Sequence, residues 1–311
     1  MNAAYCAATN GSGQVPIAMH APSLRGPLFM VAATCSYVIN DTFMKLATEG
    51  LPPYEVLFLR GVAATLWSVP MVLLLGYRRH LPALLEPRVL ARNLLELFGV
   101  LCFILALTNM PIADATALGQ ITPLIVLLGA AFLFGERIGA IRLALIALGF
   151  VGAILIAQPT MQGISFYAVL ALANAAFAAA RDLAGRRIAG HVPGMIVATS
   201  AAIVVLAGAG AMHFAAETWV WPSLRHILLL AGSGFFLIFG HFFIFMAYRV
   251  GPTDVVAPFY YCFTVWAVIS GLVVFGHLPN LMASFGILMV VGSGLIIVVL
   301  DRRRRRPTII A

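Results

Sequence analysis

The sequence predicts an all-α integral membrane protein of ten transmembrane helices, arranged as two inverted five-helix repeats. Three observations carry that expectation. The first is composition: 62% of the 311 residues are hydrophobic and 10% charged, against roughly 45–50% and 25% in a soluble domain. A soluble fold of this length could not bury so much apolar side chain, and the mean hydropathy of +1.01 agrees. The second is length: apolar runs recur near the roughly 20 residues that cross a bilayer as a helix. The third is a match of the chain to itself at an offset of 141 residues.

Runs bounded by charges, Pro and Gly give spans at 27–46, 54–76, 91–109, 112–134 and 138–157, then 164–184, 194–215, 225–249, 252–275 and 279–300. Pro111 separates two spans that nearly touch and opens the second, as proline does in a first helical turn. Residues 1–26 carry one cationic residue and no long apolar core, so they fit neither a signal peptide nor an Arg-rich transit peptide. They are expected to form a disordered cytoplasmic tail. The domains are then a first repeat over 27–157, a second over 164–300, and a basic cytoplasmic tail over 301–311.

The net charge of +8 does not indicate a nucleic-acid partner, because five of the positive charges are one run, Arg302 to Arg306, directly after the last apolar segment. That is a membrane-flank signature. Sixteen of the nineteen cationic residues fall on one side of the predicted topology; Lys45 and Arg225 lie on the other, and Arg60 is inside a span. Both termini are therefore expected in the cytoplasm. Trp219 and Trp221 fit an interfacial belt at the opposite face. Cys6, Cys35, Cys102 and Cys262 are scattered singly, so no metal site or thiol redox motif is expected, and no cofactor.

The 141-residue offset aligns Asp41 with Asp182, Lys45 with Arg186, Pro52 with Pro193, Gly99 with Gly240, Ala106 with Ala247 and Pro111 with Pro252. It also pairs Phe134-Gly135 with Phe275-Gly276. A single ungapped offset that pairs Pro, Gly and Asp over four successive helices is hard to ascribe to composition. Five is an odd number of crossings, so the second copy enters the membrane from the opposite side. Inverted repeats are a common plan of secondary transporters, in which one midplane site faces either side in turn. The plainer alternative is a duplication that merely made a stable bundle.

The stretches Ile39-Asn-Asp-Thr-Phe-Met-Lys45, Leu51-Pro-Pro-Tyr-Glu55, Phe58-Leu-Arg60, Ala113-Asp-Ala-Thr-Ala117 with Pro123, Gly135-Glu136 and Ala257-Pro258-Phe-Tyr-Tyr261 resemble, in order and spacing, the EamA branch of the drug/metabolite transporter superfamily. The Asn-Asp-x-x-x-Lys and Pro-Tyr-Glu elements look closest to a bacterial subgroup that includes S-adenosylmethionine and riboflavin transporters. The resemblance implies a multi-pass protein of the bacterial inner membrane, with helices 1–4 and 6–9 around a cavity and helices 5 and 10 peripheral, where a homodimer would form. One departure is His277 after Gly276, in place of the family's common acidic residue.

Ionisable groups deep in a membrane helix are costly and should face protein or a watery cavity. Asp41 is about fourteen residues, roughly 21 Å, into helix 1. Lys45, the only lysine beside eighteen arginines, follows at the spacing of a helix ion pair. It is either a lysine snorkelling outward beside its own Asp or a contact to substrate or coupling ion. Arg60 needs a carboxylate, from Asp41, Glu55 or a substrate acid. Arg92 and Glu96 read as a structural clasp near the basic face, and Asp182 with Arg181, Arg186 and Arg187 as a solvated helix end. His241 either titrates during a cycle or is a neutral hydrogen-bonded histidine. Gln120 and Pro123 align with Tyr261 and Thr264, where Tyr260 and Trp266 add ring faces. These groups either line a slot for an aromatic or heterocyclic substrate or simply pack. Gly149, Gly152, Gly292 and Gly294 read as close helix contacts.

The leading function is a secondary transporter of a small organic metabolite by alternating access, with riboflavin and S-adenosylmethionine types first, partnered by that substrate and the lipid bilayer. An exporter of amino acids or related metabolites is the alternative. No Walker-type phosphate loop is present, so an ion gradient or the substrate's own gradient is the simpler energy source. A membrane-embedded enzyme lacks a His-Glu-x-x-His, paired Cys or Gly-x-Ser-x-Gly arrangement. A non-transporting bundle is the third class.

Overall fold

The computed structural model describes residues 24–134, 138–158 and 164–305. The expected N-terminal tail up to residue 23, the Gly135-Glu136 pair and residues 306–311 lie outside the described residues. All regular structure among the described residues is helical: α1 (Arg25–Ala47), α2 (Pro53–Leu74), α3 (Pro87–Asn109), α4 (Ile112–Gly119), α5 (Thr122–Phe134), α6 (Ala140–Ala157), α7 (Phe166–Gly185), α8 (Gly194–Ala216), α9 (Leu224–Val250), α10 (Thr253–Val256), α11 (Cys262–Phe275) and α12 (Leu281–Arg305). Two 3-10 stretches, Tyr77–Leu85 and Ala257–Tyr261, join them.

Nine spans among the described residues are long and apolar enough to cross a membrane, counting α4 with α5 and the stretch from Ala257 to Phe275 as one each. The predicted tenth, α1, is not among them. It has 23 residues, but Asn40, Asp41, Thr42 and Lys45 dilute its apolar character. Its polar groups turn inward: Thr34, Ser36, Asn40, Asp41 and Thr42 are all buried. Apolar side chains such as Leu66, Leu74, Phe132, Val273 and Leu288 are instead strongly exposed on the outside of the bundle, as lipid contact requires.

Proline sets several boundaries. Pro53 and Pro87 occupy first-turn positions of α2 and α3, where the missing N–H costs nothing. α3 therefore begins four residues earlier than the apolar run alone suggested. At the chain's end α12 runs through Arg305 into the expected basic tail, and at its start α1 already includes Arg25 and Gly26. Ser223 caps α9, accepting from the His226 N–H while the His226 ring accepts from the Ser223 N–H.

Two predicted spans are interrupted. The run 112–134 breaks at Gln120 and Ile121, between α4 and α5, and the run 252–275 contains the 3-10 stretch that ends at Tyr261. The 141-residue offset pairs Gln120 with Tyr261.

The main packing partners are α1 with α9, α3 with α7, α2 with α8 and α6 with α12; α2 also packs on α9, α3 on α8, α1 on α11 and α5 on α7. The α6–α12 contact is backbone-close: a Cβ on Gly152 would sit 2.7 Å from the Gly286 carbonyl oxygen. Gly149 and Gly294 are likewise tight, against Leu124 and the Tyr261 ring, whereas Gly292 faces open space. Among the described residues the expected contact at Gly292 is thus absent, and Gly286, unremarked in the sequence, makes the closest approach to backbone, against the Gly152 carbonyl oxygen. One apolar core joins α4, α5, α6, α7 and α12 through Leu118, Leu124, Ile146, Ile156, Ala171 and Val290. A second, around Met44, Leu51, Leu57, Ile104, Leu107 and Ile112, fills the end of the bundle where α1, α2, α3 and α4 meet.

Candidate functional site

A cavity of about 700 Å³ lies between the helices, with walls from α1, α2, α3, α4, α5, α7, α8, α9, the Ala257–Tyr261 stretch, α11 and α12. It reaches Asp182 and Tyr248, both exposed, at the end of the bundle that carries Arg92 and Arg181. This is called the basic end below. The opposite end, beyond Thr42, is filled by the second core.

The deepest polar wall comes from α1, α2 and the break after α4. Asn40, Asp41, Arg60 and Gln120 line the cavity, each at most 6% exposed. A relay fixes the first two: the Ser233 hydroxyl donates to Asn40 Oδ1 at 2.7 Å, and Asn40 Nδ2 donates to Asp41 Oδ1 at 2.8 Å. Arg60 shares the cavity wall with Asp41, yet among the described residues no hydrogen bond or ion pair joins them, and Arg60 Nε has no partner. Gln120 Oε1 is also unpartnered. Buried polar atoms are normally satisfied, and these two, on residues of the cavity wall, are not. Gln120 is there because the helix breaks: an intact helix over 112–134 would leave fewer polar backbone and side-chain groups facing the cavity. Broken helices at membrane depth are tolerated where they line a cavity.

Aromatic faces surround this polar floor. Tyr37, Phe103, Tyr260, Tyr261 and Phe263 line the cavity. Tyr37 stacks with Phe263 at 6.2 Å and meets His241 edge-on at 5.4 Å. His241 also lines the cavity, with Nδ1 2.8 Å from the Leu237 carbonyl oxygen.

At the basic end four charges form one network. Glu96 takes Arg92 at 2.9 Å and Arg181 at 3.0 Å, and Arg181 also holds Asp182 at 2.8 Å. The clasp expected between Arg92 and Glu96 exists, but it does not stand alone, and Asp182 is not merely a solvated helix end. All four residues line the cavity. Sequence reading left them out of the candidate site because each looked explicable locally; the pairing of Asp182 with Asp41 under the repeat offset was the available signal.

Three predicted site residues lie elsewhere. Lys45 is not paired with Asp41: its ammonium donates to the carbonyl oxygens of Leu107 and Met110, the latter at 2.8 Å, and lies 5.6 Å from the centre of the Phe275 ring. The carbonyls at a helix C-terminus lack intrahelical donors and carry the negative end of the helix dipole, so the end of α3 attracts the lysine away from its own helix neighbour. Glu55 does not meet Arg60. It accepts from the Val220 N–H at 3.0 Å, while Glu217 accepts from the Tyr54 and Glu55 N–H groups at the start of α2 and lies 3.0 Å from His213 Nδ1. Trp266 and Thr264 are not part of the cavity wall. Among the described residues no group of three or more His, Cys, Asp or Glu side chains is placed to hold a metal.

Residues 24–158 match the EamA-like transporter family. The chain is 28% identical over 286 residues to a riboflavin transporter of Rhizobium johnstonii, covering 90% of this chain and 93% of that protein. It is 28% identical to a pseudopaline exporter of Pseudomonas aeruginosa, covering 86% and 93%, and 24% identical to an S-adenosylmethionine uptake transporter of Rickettsia prowazekii, covering 90% and 94%. A solved structure at 21% identity aligns with a TM-score of 0.65 over 90% of this chain and 98% of that one, a likeness of fold. With nine spans among its described residues long and apolar enough to cross a membrane, the chain has the make-up of a multi-pass membrane protein, and the relatives it matches are named as transporters.

Proposed function

We propose that the protein is a secondary transporter that carries a small organic metabolite across the bacterial inner membrane by alternating access, with the cavity between its halves as the substrate site. The observation that carries this reading is a cavity of about 700 Å³ that reaches exposed residues at one end and is shut at the other. Shutting it are the Thr42–Ser270 hydroxyl pair at 2.6 Å, Lys45 on the α3 carbonyls, and the apolar core around Met44, Leu107 and Ile112. Pockets of this size and mixed lining suit a small organic molecule.

Ten crossings in two inverted five-helix repeats remain the architecture that best accounts for the packing. Let helix pairs be exchanged by the 141-residue offset, counting α4 with α5 and α10 with α11. The α1–α9 contact then becomes α7–α3, α2–α9 becomes α8–α3, and α1–α11 becomes α7–α5, while α2–α8 and α6–α12 map onto themselves. Each of these contacts has its counterpart. The same exchange turns the lock of Lys45 on Leu107 and Met110 into Arg186 facing Tyr248 and Gly251. In this reading those residues approach when the basic end closes and the Lys45 end opens. The excess of Arg at the basic end supports a cytoplasmic position for that end and for both termini.

The relatives' names put riboflavin and S-adenosylmethionine first among substrates; pseudopaline, by its relative's name, keeps export in view as the direction. Purified protein in liposomes, loaded with unlabelled compound and tested for exchange uptake of the labelled form, tests the reading. Saturable exchange of at least one small metabolite, absent from empty liposomes, is expected. No exchange by folded protein across flavin, S-adenosylmethionine and amino-acid probes would contradict transport of this class.

A further inference from the structure

We infer that a crevice between α3 and α7, on the outer face of the bundle at the basic end, binds an anionic phospholipid. Arg88 and Arg187 take its phosphate, and an acyl chain lies along α3 as far as Phe98. This surface is apart from the central cavity, and the inference does not depend on what that cavity carries.

The crevice is lined by Arg88 and Ala91 of α3, Ala184 of α7 and Arg187, two residues past the end of α7. None of the four lines the central cavity. Arg88 Nη1 donates to the Arg187 carbonyl oxygen at 3.3 Å, which draws the two arginines together and orients the first. Among the described residues neither guanidinium has a carboxylate partner: Glu86, two residues before Arg88, makes no ion pair, and Glu96 and Asp182 are held by Arg92 and Arg181. Two cations that share a crevice repel each other, and a phosphate accepting from both relieves the repulsion. The positive end of the α3 dipole adds to the same field. A zwitterionic headgroup fits less well, because the lining offers its ammonium no carboxylate.

The groove below the arginines favours a lipid over a free anion. Ala91 and Ala184 keep its walls low, and Leu94 and Phe98, 48% and 49% exposed, follow Ala91 along the same face of α3. Phe98 meets Phe177 of α7 at 5.7 Å, which closes the far end. From Arg88 to Phe98 the helix rises about 15 Å, half of the roughly 30 Å hydrocarbon core and therefore the depth of one leaflet. The Tyr77–Leu85 stretch, which leads into α3, marks the headgroup level. The three-residue period of a 3-10 helix puts Tyr77, His80 and Ala83 on one side, where Tyr77 and Ala83 pack against the core of Val72, Val192 and Ile196. Arg78, Arg79, Leu81 and Leu85 are exposed, and leucine beside arginine on an open surface suits a segment lying in the membrane interface.

The repeat supplies an internal comparison. The 141-residue offset carries Arg88 onto Leu229 and Arg187 onto Leu46, so the matching place in the other half is built from leucines and packing does not require the arginines. An excess of Arg on this side of the membrane accounts for their sign. It does not account for two of them in one crevice.

Native mass spectrometry of detergent-purified protein, titrated with phosphatidylglycerol, phosphatidylcholine, glycerol 3-phosphate and inorganic phosphate, tests the inference. Phosphatidylglycerol is expected to bind, and phosphatidylcholine to bind at least about 10-fold more weakly. Arg88→Gln and Arg187→Gln should each weaken phosphatidylglycerol by a similar factor, and Ala91→Trp, which fills the groove without changing charge, should also displace it. The double change Arg78→Gln with Arg79→Gln removes as much charge from outside the crevice, where it acts only through a screened field, and should alter binding by no more than about twofold. Phosphatidylcholine bound as tightly as phosphatidylglycerol would overturn the inference, as would equal losses from the Arg88–Arg187 and Arg78–Arg79 changes. Displacement of the lipid by equal concentrations of glycerol 3-phosphate or inorganic phosphate would make the crevice a site for soluble anions and overturn the lipid reading. The wild-type series decides between lipid, soluble anion and neither even where a variant fails to fold.

Discussion

At one end of the cavity a single lysine spans two backbone carbonyls over an apolar core; at the other, four charges form a network around an accessible mouth. The two ends occupy corresponding places in the two halves, yet the half-buried Lys45 bonds to the carbonyls of Leu107 and Met110 beside the Phe275 ring, whereas Arg181 bonds to the carboxylates of Glu96 and Asp182, the Arg181 and Asp182 side chains 23% and 45% accessible. The difference shows what each chemistry is good for. A lysine bonded to helix-end carbonyls is answered by dipoles alone and brings in no second charge. A network of Arg and carboxylates bonds firmly while wet, and it can stay at a mouth that water enters. A transporter caught with one end shut would display this contrast, and the reverse arrangement would display it at the opposite ends.

The largest effect is expected at the wet end. Glu96→Gln leaves Arg92 and Arg181 competing for Asp182, and breaking such a partly buried network by removing one partner costs about 3–5 kcal/mol where burial is complete and less with this exposure. A clear fall in melting temperature, and in the amount of folded protein recovered from membranes, would show it by static light scattering and gel filtration. Unchanged stability would mean that the network is too solvated to matter.

Lys45→Gln should act less on stability and more on the balance of the two ends. Two carbonyls lose a charged donor, at a cost of about 1–3 kcal/mol if water cannot replace it. That cost falls only on the state in which the Lys45 end is shut. Impermeant thiol labelling of Thr42→Cys, at the floor of the sealed end, is expected to rise several-fold in the Lys45→Gln background. Labelling that stays at the wild-type level would separate Lys45 from closure and reduce it to a helix clasp.

The smallest effect belongs to a residue that serves neither end. Trp266 stands outside the cavity, so Trp266→Phe, which removes an indole N–H without a partner, should change exchange rates by less than about twofold and stability by no more than about 0.5 kcal/mol. A large loss of transport in liposomes would return this residue to the site.

How much of this was readable beforehand follows from the physics of each element. Span positions were legible because lipid demands long apolar runs, and Asp41, Arg60, Gln120, His241, Tyr260 and Tyr261 stood out as groups too polar or too aromatic for plain lipid contact. All six line the cavity. The breaks at Gln120 and before Cys262 were not legible, since hydropathy averages across a single turn; only the proline and glycine nearby hinted at them. Partner choice was the weakest reading. Asp41 with Lys45 and Arg60 with Glu55 are sensible pairs along a chain, but Lys45 found helix-end carbonyls and Glu55 found the Val220 N–H, groups brought there by tertiary packing. The network of Glu96 with Arg181 was missed for the same reason, because its partners are 85 residues apart.

The claim that the two ends exchange roles is tested most directly by two spin-label distances measured by pulsed electron resonance. One pair joins Glu49 to Asn109 across the Lys45 end; the other joins Gly190 to Val250 across the basic end. All four positions are exposed, and the 141-residue offset carries the first pair onto the second. In otherwise wild-type protein the first pair should give the shorter, narrower distribution. Introducing Lys45→Gln should lengthen it and shorten the second, the two populations shifting in opposite directions by the same fraction. Distances that stay fixed at both ends, or that lengthen together in a protein that still exchanges substrate, would contradict the account.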